Sequence, residues 1–256
     1  MNLFDLTGKV AVITGSTKGI GKAIAEEMAA HGAKVVITSR KGDVCEEVAQ
    51  SIRDTGGEAV AIPCNISHKE QMQALVAETR KVYGKIDILV CNAAANPHYG
   101  PTLTIPDSAF EKVMDVNIKS NHWLVQMVAP EMVTRKDGSI IIVSSIGGYR
   151  GSATLGAYCI SKAADMQMVR NLATELGPDN IRANCIAPGL VKTDFARALW
   201  ENPEMADDRI EGTPLRRLGE PRDIAGIAIY LASEAGSWTT GQTITVDGGV
   251  TSSSGR

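Results

Sequence analysis

Short apolar runs alternate along this chain with longer amphipathic stretches, and that alternation leaves few folds open. Lys9 to Thr14 reads as a buried strand, Gly21 to Ala30 as a helix and Lys34 to Thr38 as a second strand. A helix over about Val44 to Thr55 precedes a third strand, Ala59 to Cys64, and a helix over Lys69 to Tyr83 precedes a fourth, Ile86 to Asn92. Further strands are predicted at Ser139 to Ser144, Arg182 to Ala187 and Thr243 to Val246, with helices between them. Strands that are apolar almost throughout must be covered on both faces, which is the habit of parallel sheets built from β-α-β units. The pattern therefore predicts an α/β fold with a doubly wound, seven-stranded parallel sheet and helices on both faces. No Pro/Gly/Ser-rich linker divides the chain and no repeat of solenoid period is present, so residues 1–256 read as one domain.

In such a sheet ligands bind beyond the carboxyl ends of the strands, near the point where strand order reverses. Directly after the first strand comes Thr14-Gly15-Ser16-Thr17-Lys18-Gly19-Ile20-Gly21, which opens a helix. Glycines permit a tight turn, and a helix N-terminus offers free N–H groups and positive dipole to a pyrophosphate. Gly15, Thr17, Lys18, Gly19, Ile20 and Gly21 are the candidate phosphate-holding residues. The Gly-x-x-x-Gly-x-Gly spacing differs from the usual dinucleotide fingerprint, and taken alone it reads equally as a plain strand-to-helix connection. Its place after the first strand favours the functional reading.

The end of the second strand bears on cofactor choice, because an acid there suits ribose hydroxyls and a base suits a 2′-phosphate. This chain has Thr38-Ser39-Arg40-Lys41, with no carboxylate before Asp43. Arg40 offers a planar fork of donors and Ser39 a hydroxyl, and Lys18 places a further cation nearby. The expected cofactor is NADP(H), with NAD(H) the weaker alternative; the competing reading makes Arg40 and Lys41 ordinary solvated loop charges.

Tyr158 and Lys162 lie four residues apart, one helical turn on the same face. A phenol with its usual pKa of about 10 is a poor proton donor or acceptor at neutral pH, and a neighbouring cation lowers that value. With Ser145 upstream, the pair is a candidate acid–base site for a carbonyl or alcohol oxygen.

Composition narrows the remaining classes. Hydrophobic residues at 44% and charged residues at 21% fit a globular chain, not a disordered one. A net charge of −3, without runs of like charge, argues against a nucleic-acid or membrane surface. Five scattered cysteines without a Cys-x-x-Cys argue against a disulfide framework or a zinc site, so no metal is expected. The start, Met1-Asn2-Leu3-Phe4-Asp5, has no leader-like pattern, and Ser254-Gly255-Arg256 is not the Ser-Lys-Leu peroxisomal address. A cytoplasmic enzyme is the expectation.

Taken together, these motifs resemble the classical short-chain dehydrogenases/reductases, from the glycine turn to Asp247-Gly248-Gly249. Within that family the chain is most similar to the NADPH-dependent carbonyl reductases, including the peroxisomal dehydrogenase/reductase type. Asn92-Ala93-Ala94-Ala95-Asn96-Pro97, the stretch Ile186 to Phe195, Leu199-Trp200 and Arg216 to Pro221 carry that finer likeness. The resemblance implies a Rossmann fold and a catalytic tetrad of Asn117, Ser145, Tyr158 and Lys162. Tyr158 would be the acid in reduction and the base in oxidation, and Lys162 would lower its pKa and hold the ribose hydroxyls of the cofactor. Ser145 would bind the substrate oxygen, with Ser144 the competing serine, and Asn117 would keep a relay water behind the lysine. A mid-helix Asn117 could instead bond its own backbone. Asn65 and Ile66 are expected against the adenine and Asn92 with Ala93 near its ribose. Pro188, Gly189, Val191 and Thr193 are expected along the nicotinamide.

Two positions depart from the family pattern. Ala94 replaces a glycine, so the backbone there must avoid positive φ or be strained. Asn65 replaces an Asp, keeping a carbonyl acceptor for the adenine.

The segment from about 190 to 215 corresponds to the family's mobile substrate loop. Phe195, Leu199, Trp200 and Met205 there could close over an apolar carbonyl compound or pack on the core. His98 and Tyr99 could line the mouth of the pocket. The expected activity is reversible reduction of a ketone or aldehyde to an alcohol, the partner being a small carbonyl or alcohol substrate. A 3-oxoacyl-thioester reductase is the alternative, with a silent NADP-binding member of the family a third reading. A homotetramer or homodimer is expected from the resemblance.

Overall fold

The computed structural model describes residues 2–253, apart from the side chain of Met205. The expectations placed on that side chain and on the tripeptide 254–256 lie outside the described residues. In chain order the elements are β1 (Val10–Thr14), α1 (Gly19–Ala30), β2 (Lys34–Thr38), α2 (Gly42–Asp54), β3 (Glu58–Ala61), α3 (Lys69–Tyr83) and β4 (Ile88–Cys91). There follow α4 (Asp107–Met114), a π-helical turn (Asp115–Lys119), α5 (Ser120–Arg135), β5 (Gly138–Val143) and α6 (Gly156–Leu176). The last are β6 (Ile181–Pro188), α7 (Pro203–Glu211), α8 (Pro221–Ala232) and β7 (Thr243–Val246).

The seven strands form one sheet in the order β3-β2-β1-β4-β5-β6-β7, every pair parallel. The order reverses between β1 and β4, where Ala11 pairs with Ile88 and Ile13 with Val90. In doubly wound sheets, ligands bind beyond the carboxyl ends of the strands at such a reversal.

Apolar residues at every strand position divide by a period of two between two cores. Ala11 and Ile13 pack with Ile24 and Met28 of α1 and Ile224 and Ala228 of α8. Val12, one residue on, packs on the other face with Leu75 of α3, Leu124 and Val128 of α5 and Val169 of α6. Fully burying a side chain of this kind stabilises by about 1.5–3 kcal/mol. Truncating the central Ile13, which is wholly buried, to alanine would cost about 2–5 kcal/mol once the cavity is included.

The sequence-based bounds shift in places, each for a local reason. The first helix begins at Gly19 and not Gly21, since the glycine turn is already winding. β3 ends at Ala61 and not Cys64. Single bonds continue beyond it, from Ile62 N–H to the Ile37 carbonyl at 3.0 Å and from Cys64 N–H to Ser39 at 2.9 Å. Pro63 between them has no N–H to give, so the ladder breaks. β4 begins at Ile88 and ends at Cys91. Ahead of it the Asp87 carboxylate turns back to accept the Val10 N–H at 2.8 Å. Ala94 causes no strain: among the described residues, only Lys136, Asn180 and Arg216 adopt positive φ without being glycine. None of the helices within the described residues is long and apolar enough to cross a membrane.

Candidate active site

The candidate cofactor-binding turn after β1 is held by its neighbours. Thr14, the last residue of β1, accepts the N–H groups of Asn92 at 2.9 Å and Ala93 at 3.0 Å on its hydroxyl. The Asn92 amide donates back to the Thr14 carbonyl at 2.8 Å and to that of Gly15 at 3.3 Å. Ser16 is wholly buried; it accepts the Thr38 N–H on its hydroxyl at 2.9 Å and gives its own N–H to the Thr38 carbonyl at 3.2 Å. The ends of β1, β2 and β4 are thereby tied into one frame. Gly15 and Gly19 take φ of +66° and +56°, and a side chain on Gly21 would collide with the Asn92 amide and the Gly15 carbonyl. Lys18, which precedes α1, places no side-chain cap on it. An uncapped helix start behind a glycine turn fits a pyrophosphate, whose oxygens would take the unpaired N–H groups.

Arg40 is exposed at the end of β2 and has no ion-pair partner among the described residues. The Ser39 hydroxyl is already engaged with the Cys45 thiol at 3.2 Å. Asn65 spends its carbonyl oxygen on the Ser67 N–H at 3.1 Å, forming a local turn, and Ile66 is buried beside it. At the end of β6, a Cβ on Gly189 would lie 2.8 Å from the Asp247 Cα, so only glycine passes there. Val191 is buried, and the Thr193 methyl reaches to 3.0 Å from where a Cβ on Gly19 would stand. The two loops expected to hold the ends of a dinucleotide are therefore in contact.

Opposite lies the catalytic candidate set. Tyr158 and Lys162 project from the first turns of α6, with the lysine ammonium 5.7 Å from the centre of the phenol ring. The Ser145 hydroxyl faces the phenol and accepts the Gly147 N–H at 3.0 Å. Ser144 points elsewhere and donates to the Lys162 carbonyl at 2.8 Å, which removes it from the competition. Asn117 lies in the π-helical turn, wholly buried. The extra residue of such a turn re-aims a side chain. Asn117 does not bond its own helix: its amide donates to the Ala95 carbonyl and to Ser161, both at 3.0 Å, and its oxygen accepts the Ala95 N–H at 2.8 Å. It clamps the loop after β4 against α6.

The electrostatics differ from the sequence expectation. Burial pushes the Tyr158 phenol above its ordinary value; Lys162 and Ser145 pull it down, while Asp165 pushes it up again. Lys162 does act as a local cation, but its charge is shared. Its ammonium donates to the Asp165 carboxylate at 3.0 Å and to the Val143 carbonyl at 2.9 Å. Burial opposes the lysine's charge, yet Asp165 and Tyr158 together hold its pKa above the ordinary value.

Over this site lies the segment after β6. Phe195 is 53% exposed and its ring centre is 5.9 Å from that of Tyr158. Leu199 and Trp200 are half-buried, and the indole N–H donates to the Thr193 carbonyl at 3.0 Å. None of these three packs wholly into the core. Asp194 pairs with Lys18 at 3.3 Å and with Arg197 at 2.6 Å, linking this segment to the glycine turn. In the loop after β4, Tyr99 is exposed, and the half-buried His98 has a buried Nε2 without a partner among the described residues. Within those residues, no group of three or more His, Cys, Asp or Glu is placed to hold a metal.

Four contributors escaped the sequence reading: Thr14, Ser16, Asn121 and Asp165. Two carried a signal, since Asp165 follows Lys162 by three residues and Asn121 follows Asn117 by four, both same-face helical spacings. The two in the turn carried none, because their partners lie across the sheet.

Residues 15–251 match the family model described as enoyl-(acyl carrier protein) reductase. The chain is 42% identical over 247 residues to dehydrogenase/reductase SDR family member 4 of Homo sapiens, covering 96% of this chain and 89% of that protein. A 7α-hydroxysteroid dehydrogenase, solved with NADH and 7-oxo glycochenodeoxycholic acid, superposes with a TM-score of 0.93 at 39% identity, covering 96% of each chain. A gluconate 5-dehydrogenase from Burkholderia cenocepacia, solved with NADP and tartrate, gives 0.94 at 32% identity over 98% of each chain. With a parallel sheet of this order, a glycine turn at its switch point and these relatives, the chain belongs to the classical short-chain dehydrogenase/reductase family of oxidoreductases.

Proposed function

We propose that this chain is an NADPH-dependent carbonyl reductase, reversible as an alcohol dehydrogenase. The observation that carries the reading is the convergence of Ser145, Tyr158 and Lys162, joined to the glycine turn through the Phe195 and Asp194 segment. A nicotinamide dinucleotide bound there supplies the hydride. Gly15, Thr17, Lys18, Gly19, Ile20 and Gly21 hold its pyrophosphate, and Arg40, exposed and free of an ion pair among the described residues, takes a 2′-phosphate. Asn65 and Ile66 flank the adenine, Asn92 and Ala93 its ribose, and Pro188, Gly189, Val191 and Thr193 the nicotinamide. The solved neighbours include both an NADH and an NADP complex; Arg40 is what favours NADP(H) here.

In reduction Tyr158 delivers its proton to the carbonyl oxygen as charge develops there, and Ser145 donates a hydrogen bond to the same oxygen. A phenol held above its ordinary pKa is protonated at neutral pH, as a proton donor must be. Lys162 stabilises the phenolate left behind. Phe195, tilted beside Tyr158, offers an apolar surface to a substrate held at the reacting oxygen. The substrate class is a free ketone or aldehyde of moderate bulk. A dimer or tetramer is proposed for the assembly.

The test is cofactor oxidation over a panel of α-dicarbonyls, aryl ketones, cyclic ketones and acyl thioesters, each with NADPH and with NADH. Free ketones turned over faster with NADPH support the reading; acyl thioesters as the preferred substrates would replace it with a thioester reductase. Tyr158→Phe should lose nearly all turnover and still bind NADPH, and a variant keeping more than a few per cent of the rate would sink the acid–base role.

A further inference from the structure

Behind Lys162 lies a polar cluster sealed from solvent. Lys162 and Asn121 are each 2% exposed, and Asp165 and Asn117 are 0% exposed. One oxygen of the Asp165 carboxylate accepts the lysine ammonium at 3.0 Å; the other accepts the Asn121 amide at 3.1 Å. The same amide nitrogen donates to the Asn117 backbone carbonyl at 2.7 Å. The Asn117 carbonyl is thus bonded by a protein amide, and a carboxylate faces the lysine. Burying such a charge costs several kcal/mol, and a buried ion pair seldom stabilises more than an apolar pair of the same shape. Packing alone is thus a weak reason for Asp165 to be there.

We propose that Asp165 is a positioning residue for the reaction: it is the fixed counter-charge of Lys162, and it sets how readily the Tyr158–Lys162 couple releases a proton. The inference rests on the acid–base reading of Tyr158 given above.

Net charge sets the direction of the effect. With Asp165 ionised and Tyr158 protonated, the three groups sum to zero, and losing a proton leaves a buried net charge of minus one. If residue 165 were neutral, the same loss would take the site from plus one to zero. The second change is far easier in a poorly polarisable interior, whether the tyrosine or the lysine gives up the proton. Other titratable groups facing the cluster are Cys91 at the end of β4, Cys185 in β6 and Cys159 on α6, with Arg170 further along α6. Burial pushes all three thiols upward, so they stay neutral and add no charge. The directions agree with this account, for Asp165 raises both Tyr158 and Lys162 while burial raises its own carboxyl. Asp165 thus favours the protonated couple, the form required for carbonyl reduction.

The experiment is the pH profile of kcat/KM for alcohol oxidation, whose acidic limb reports deprotonation of the couple. Asp165→Asn should move that limb to lower pH by about one unit or more, and Asp165→Glu should bring it back toward the parent. Asn121→Ala removes a donor that spreads the carboxylate's charge, so its limb should move the other way, to higher pH and by less. A structural role would lower rates or stability without shifts of opposite sign. An unmoved limb in Asp165→Asn overturns the proposal. Should that variant fail to fold, an Asn121→Ala limb that is unmoved or falls does the same. Tyr158→Phe separates the two layers: if it is inactive while the Asp165→Asn limb stays put, only the role of Asp165 is lost, whereas an active Tyr158→Phe removes the acid–base reading itself.

Discussion

Two lysines stand at the carboxyl end of the sheet, each ion-paired at nearly the same distance, and their surroundings give the pairs opposite weight. Lys18, in the glycine turn, meets Asp194 at 3.3 Å with side-chain exposures of 67% and 49%. Lys162, beneath the phenol, meets Asp165 at 3.0 Å with exposures of 2% and 0%. Water and salt screen the first pair, so its partners can exchange it for other ligands at small cost. Nothing screens the second, so its geometry is held and each partner depends on the other. The contrast suits the parts proposed for them: a cofactor side would open to admit and release a dinucleotide, while a proton-handling side would keep its charges in place.

The largest expected effect breaks the buried pair. Lys162→Met leaves the Asp165 carboxylate alone in the interior and should destabilise the fold by about 3–5 kcal/mol, read as a fall in Tm. Adding Asp165→Leu should restore most of that loss without restoring turnover. The loss should shrink as pH falls: an isolated buried carboxyl has a folded pKa above its unfolded one, so its proton is held more tightly in the folded state. A next, smaller effect concerns the exposed side. Arg40→Ala should raise KM for NADPH about ten- to hundredfold, the worth of hydrogen bonds to a charged group of about 1.5–3 kcal/mol, and barely change KM for NADH. Equal effects on both would rule out a 2′-phosphate contact. The smallest effect is on the screened pair. Asp194→Asn should leave Tm unchanged, and any change in cofactor affinity should vanish at high salt.

Much of this molecule could be read in advance. The strands and helices follow from the spacing of apolar residues, and each strand's continuous apolar run required cover on two sides. The glycine turn was legible because Gly15, Gly19 and Gly21 answer to local backbone demands. Tyr158 and Lys162 were legible because their spacing is helical. Short-range patterns could not show that Ser144 bonds the Lys162 carbonyl while Ser145 faces the phenol, because adjacent residues at a strand end differ only in which way they point. Nor could they show that Asn117 reaches across to Ala95 from a π-helical turn. The helical spacing led one to expect a downward pull of Lys162 on Tyr158; the structure sets Asp165 beside that lysine, and it pushes the phenol the other way.

By itself, then, the sequence determined the layered α/β architecture, the glycine turn after β1 and the residue types at the proposed acid–base site, all set by interactions within one or two turns or along one strand. Only the tertiary structure decided the electrostatic character of that site. A pKa depends on burial and on neighbouring dipoles, and the Val143 carbonyl of β5 and the Asn121 amide of α5 meet the charges of α6 nowhere but in the folded core.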